Sequence, residues 1–206
     1  MNNIAPDSKK LTRKERYQFL INARNFHYDN FNKWMTYFYV ANGALFVGYY
    51  TIASNANMST EKLILITLGY ITSLFWYWSS KGYYFWNINF ITLVNDCEKN
   101  TLKLKKKERV YSVFANKKTQ NNYLNPISGA NISTSKIAIL FSFVISIVWS
   151  VLLLEKLKEM KLMEIHFLCE FIISTLVTLI LSYFIPKYFL KSKIDHFHDL
   201  KINQIT

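Results

Sequence analysis

Few residues in this sequence are placed to do chemistry. His166 and Glu170 stand four apart, so on a helix they share a face where imidazole and carboxylate could hydrogen-bond or pass a proton. Asp96 and Glu98 lie close to a basic stretch and suit acid–base work on an anionic lipid, although the sequence fixes no partner for either. The stretch "KIDHFHDL" (193–200) brings two His and two Asp to helical spacing. Zinc needs further ligands in a defined geometry, and no Cys/His motif supplies them, so a solvated tail is the plainer reading. There is no G-x-x-x-x-G-K-[ST], G-x-S-x-G, H-E-x-x-H or C-x-x-C, and five glycines leave little for a phosphate-cradling loop. No complete active site is legible, and we expect neither catalytic residues nor a cofactor or metal.

The elements that hold these residues are apolar blocks. Residues 34–60, 63–80, 137–154 and 171–186 carry no charge. A helix needs roughly 20 predominantly apolar residues to cross the hydrocarbon core. The fourth block reaches that length only from about Ile165, which draws His166 and Glu170 toward the membrane. Four spans in two helical hairpins are therefore expected. The first block follows a long basic segment, so it reads as a retained span and not a cleaved signal peptide.

Net charge is +12, from 25 Lys+Arg against 13 Asp+Glu. In a soluble chain that excess suggests nucleic acid. Here it sorts by segment. With both termini inside, 21 of the 25 basic residues fall on the inner side and four on the outer. The positive-inside rule assigns that pattern to topology, with attraction to anionic lipids added, and nucleic-acid binding loses its support. Cys97 falls inside and Cys169 near the outer end of the fourth span, so no disulfide is expected.

Five segments follow. Residues 1–33 form an N-terminal tail with a helix from Arg13, whose stripe Tyr17, Leu20, Ile21, Tyr28, Phe31 and Met35 is broken by Arg24. Residues 34–80 are the first hairpin. In it Asn42 offers one interhelical hydrogen bond, and Gly43, Ala44 and Gly48 permit close approach. Residues 81–136 are an inner segment ending in "NISTSK", which caps the third span. The second hairpin (137–186) turns through "EKLKEMKLME", read as helix extension, and residues 187–206 form an inner tail. Within 81–136, a small apolar cluster is expected at Val110, Tyr111, Val113 and Phe114.

The stretch "WSSKGYYFWNINFITLVNDCEKN" (78–100) leaves the second span dense in aromatics. It lies at the headgroups as an interfacial belt, or it continues the span as one long helix that packs on other copies. On a helix, Tyr84, Ile88, Ile91, Leu93 and Val94 gather on one side with Trp86 and Phe90 near.

"WSSKGYYFWNINF" (78–90), Glu98 some turns later and "NPISGANISTSK" (125–136) together resemble the RipA family of small bacterial cytoplasmic-membrane proteins. The resemblance covers about residues 70–150. It implies a homo-oligomer, an octamer in that family, tied to envelope adaptation and growth inside host cells. It carries over no catalytic residue.

The expectation is an all-α, polytopic inner-membrane protein with cytoplasmic helical segments, acting as an oligomeric scaffold or regulator. Trp78, Tyr83, Tyr84, Trp86, Phe90, Ile91 and Val94 are its candidate oligomer interface. Asn42, His166 and Glu170 are a candidate intramembrane polar site. A pore lined by those three polar residues and a membrane enzyme acting on lipid are the other two classes.

Overall fold

The computed structural model describes residues 11–55, 57–110, 123–124, 126–127, 129–160 and 166–192. Four long helices carry the chain: α1 (Arg13–Ile52), α2 (Ser59–Asp96), α3 (Thr134–Glu159) and α4 (Phe167–Ile185). One π turn, Cys97–Thr101, extends α2, and a second, Pro186–Leu190, extends α4. There is no strand among the described residues. Tyr111, Val113 and Phe114, the 193–200 stretch and part of the turn after α3 lie outside the described residues.

The helix starts follow local chemistry. Ahead of α1, the Thr12 backbone N–H donates to Glu15 Oε2 at 2.7 Å, and the Glu15 N–H donates to Thr12 Oγ1 at 3.3 Å. This reciprocal pair is a capping box. The bond from the Thr12 backbone, and then the one from its hydroxyl, hold the Glu15 carboxyl below its ordinary value. That support is in place above the ordinary carboxylate range and is lost as pH falls through the lowered value. At α3 the Ser133 hydroxyl accepts from the Lys136 N–H, so "NISTSK" does cap this helix.

Among the described residues, three helices are long and apolar enough to cross a membrane: Ser59–Thr101, Thr134–Glu159 and Leu168–Leu190. Helix α1, expected as the first of four spans, is not among them. Its uncharged stretch is rich in Tyr and also carries Trp34, Thr36, Asn42, Gly43, Gly48 and Thr51, all of low hydropathy. The helix is nonetheless continuous from Arg13, as the periodicity predicts.

The chain divides into two compact units, each of which takes part of α1 and α2. One holds residues 31–84 and 133–201, within which α1, α2, α3 and α4 contribute to the packing. Its core is Ile66, Tyr70, Leu74 and Trp149, flanked by Phe46 and Leu153. A second cluster joins Met35, Trp76 and Ala138. Lipid tails are as apolar as Leu, so packing and interhelical hydrogen bonds must supply what water exclusion supplies elsewhere. The Trp149 ring shows how. It is fully buried, stacks on Phe46 at 4.1 Å between ring centroids, and lies so close to Gly69 that a Cβ there would collide with the ring. The close-approach glycine is thus Gly69. Gly43, flagged in the sequence, has nothing within 4 Å of its Cβ position, and Gly48 meets only Leu65 at 3.7 Å.

The other unit holds residues 1–30, 85–132 and 202–206. On α1 its inward side carries Tyr17, Leu20, Ile21, Arg24 and His27, whereas Tyr28 is exposed. The expected stripe therefore turns by one position. Arg24, which seemed to break it, lies on it, and His27 meets Phe90 with ring centroids 5.2 Å apart.

Because Trp149 is pinned, Gly69→Ala should be unable to relax around the added methyl. We expect a loss of about 1–3 kcal/mol, read as a lower thermal midpoint of the detergent-solubilised protein, with Gly82→Ala, whose Cβ position has nothing within 4 Å, showing no loss as the control.

Candidate functional site

In the unit built from residues 31–84 and 133–201, polar groups are buried on facing helices and mostly paired. Asn42 donates to its own helix at Phe38 O, and its Oδ1 accepts from Trp149 Nε1 at 3.1 Å. Asn42 therefore makes the interhelical bond that the sequence suggested. Tyr70 Oη and Thr178 Oγ1 share a hydrogen bond of 3.0 Å, and Trp78 Nε1 donates to Ser182 Oγ at 3.0 Å. Trp76 Nε1 donates to the sulfur of Met35 at 3.1 Å.

These contacts reveal a pattern the sequence reading missed. Glu170, Ser174, Thr178 and Ser182 recur every four residues on α4, and all four are buried. Ala138, Ser142, Ser146 and Ser150 do the same on α3. Ser142 and Ser146 bond back to carbonyls of their own helix, which satisfies them without a partner helix. Small side chains at this spacing let helices approach closely. The signal was present as S-x-x-x-S-x-x-x-S and E-x-x-x-S-x-x-x-T-x-x-x-S.

His166 and Glu170 do not form the expected pair. His166 is exposed and sits ahead of α4 with no side-chain capping bond, so its backbone carbonyl, not its ring, meets the Glu170 N–H. Glu170 is almost fully buried and its Oε1 accepts from Lys158 Nζ at 3.0 Å. Lys158 is about half exposed, so the ion pair joins a buried acid to a wet base. Ser174 Oγ, one turn on, is buried with no hydrogen-bond partner.

In the other unit the functional geometry centres on Glu98, which is fully buried. Its Oε1 accepts from Tyr17 Oη at 2.8 Å and from the Val110 N–H at 3.0 Å. The local fold delivers those donors. After the π turn, Lys103 takes a left-handed φ of 55° and reverses the chain. The Leu104 N–H then donates to Glu98 O, Arg109 Nε donates to Leu104 O, and the return segment reaches Val110. Side chain and carbonyl of one residue thus fasten α1, the end of α2 and the strap after it. Glu98 Oε2 is buried without a hydrogen-bond partner, as are Asn87 Oδ1 and Asn95 Oδ1. Asp96 meets Asn100 Nδ2 and is not joined to Glu98 in an acid pair. The two free cysteines lie in different units, Cys97 buried and Cys169 exposed.

The stretch after the second span is helix, continuous with α2 to Asp96. Of its candidate interface residues, Tyr83 is buried and stacks on Phe31 at 3.6 Å, and Val94 is fully buried. Trp78, Tyr84, Trp86, Phe90 and Ile91 are half-buried. Ile88, grouped with Tyr84 and Ile91 on one side by the sequence reading, is exposed. Among the described residues no group of three or more His, Cys, Asp or Glu could hold a metal ion.

Replacing Glu98 with Leu should leave Tyr17 Oη and the Val110 N–H without an acceptor, at about 1–3 kcal/mol for each buried donor stranded. Hydrogen exchange at residues 102–110 should quicken. Glu98→Gln keeps a carbonyl oxygen there and should hold the strap nearly as well; equal release by both variants would mean the carboxylate does not fasten it.

Neither the curated proteins nor the solved structures compared with the chain give a match. The description "Octameric membrane protein family (8xMP)" matches residues 14–158. The match begins in the first turn of α1, takes in α2 and nearly all of α3, and stops short of α4. It covers well over half of the sequence, and on that ground the chain belongs to the octameric membrane protein family.

Proposed function

We propose that this protein is a non-enzymatic homo-octameric scaffold or regulator in the bacterial inner membrane, with both termini and the Glu98 unit on the cytoplasmic side. The observation that carries the reading is the occupation of its acids. Glu98 holds Tyr17 and Val110, Glu170 holds Lys158, and Asp96 holds Asn100. Each of these three acids accepts a hydrogen bond, and the two buried ones hold separate segments together; a folded cytoplasmic surface is what an assembly needs to dock regulators. The basic residues favour anionic lipid beside it, and nothing in the reading calls for nucleic acid. The RipA-like motifs point the same way, toward envelope adaptation during growth inside host cells. Native mass spectrometry of the purified protein should show the mass of eight chains; a monomer in every detergent and nanodisc would sink the proposal.

A conducting role has one specific observation in its favour. The buried row from Glu170 through Ser174 and Thr178 to Ser182 includes a hydroxyl with no partner, and an ionisable residue within a span is a functional hypothesis by default. Proton flux into liposomes should then fall in Glu170→Leu, and flux that is absent or unchanged removes this second role.

A further inference from the structure

We infer that the outward face of α1 between Lys33 and Thr51 is a subunit interface, occupied by a second copy of this chain, and that α4 faces lipid. The inference rests on the octameric reading above and adds which surface makes the contact.

The four helices expose different chemistry. On α2, the exposed positions include Ile64, Leu68, Ile71 and Phe75; on α3 they include Ile137, Leu140, Phe141 and Val144. On α4 they include Leu168, Phe171, Ile172, Leu176 and Ile180, and this helix is the least buried of the three apolar ones. Large aliphatic and aromatic surface of this kind is what hydrocarbon tails accept. Helix α1 differs. Its exposed surface mixes Trp34, Tyr37, Tyr39 and Tyr50 with Thr36, Gly43 and Ala44, and only Val40 and Val47 are large aliphatics.

Two independent facts then point to protein as the cover. First, α1 is uncharged from Trp34 onward yet is not apolar enough to count as a span. A helix of that composition at membrane depth needs neighbours on both sides, and its own chain covers one side only: Asn42 and Met35 are buried while Val40 and Val47 stay about two-thirds exposed. Second, the family that is described as octameric matches α1, α2 and α3 and ends before α4. The matched helices are the ones on which an assembly shared by the family can rest, and among them α1 has the open face that lipid covers poorly. The open space at Gly43 admits a second backbone.

A closed ring joins two different faces of each subunit, whereas a two-fold contact joins one face to itself. A photo-crosslinking amino acid captures either, so it is the suitable probe. Placed at Val40 or Val47 in the full-length protein in membranes, it should give covalent dimers and higher ladders of this chain. Placed at Leu176 or Ile180, it should leave the chain monomeric on denaturing gels. Each variant is first weighed by native mass spectrometry. Octamers that crosslink through 176 and 180 and not through 40 and 47 overturn this inference while leaving the octamer intact. A monomer by mass overturns the octameric reading and this inference with it. Crosslinks from position 40 to an unrelated membrane protein, with none to this chain, also overturn it.

Discussion

The seating of Trp149 against Gly69 is the constraint around which one unit of this protein is arranged. A flat, fully buried ring occupies the space a side chain would need at Gly69, and its one polar atom is held by Asn42. Three helices are fixed in register by that arrangement: α1 through Asn42, α2 through Gly69 and α3 through the ring itself. A bilayer offers no water to drive helices together, so such shape fitting and oriented bonding have to choose the native packing among many of similar hydrophobicity. The Met35–Trp76 contact and the Tyr70–Thr178 and Trp78–Ser182 bonds extend the same logic to the rest of the unit.

Much of the fold could be read from residues alone, because its signals are local. The uncharged blocks mark helices, the stripe from Tyr17 predicts that α1 starts near Arg13, and Ser133 announces the start of α3. Asn42 was legible as an interhelical donor or acceptor, since few other roles suit an amide in such a run. What was not legible depended on pairing between distant segments. Nothing near Gly69 says that a tryptophan eighty residues on will lie across it. His166 and Glu170 look like partners at their spacing, but Lys158 reaches the carboxylate and the imidazole turns to the surface. Arg24 seemed an interruption because of its charge, although its spacing of seven from Tyr17 and three from Ile21 puts it on the stripe. The expected first span is uncharged but less apolar than the other three helices, because Tyr, Trp, Asn and Gly fill the run.

Glu98 illustrates how a residue with reactive chemistry becomes architectural. A buried carboxylate is tolerated when donors surround it, and here a phenol and a backbone N–H supply that environment from two separate segments. The left-handed Lys103 is the local strain that lets the return segment reach back. Glu170, held by Lys158, follows the same rule.

The Lys158–Glu170 pair also bears on biogenesis. A charged side chain at the centre of a span costs about 2.5–3.5 kcal/mol when a helix partitions from the translocon and less toward its ends, where Glu170 lies in the first turn of α4. Leaving the translocon alone, α4 would carry an unmatched acid into lipid. Entering together with α3 as a preformed hairpin, it carries a neutral pair, with the lysine already within reach of the headgroups. The bond that closes the turn between these helices thereby favours concerted over sequential release, and couples the entry of the last helix to the one before it.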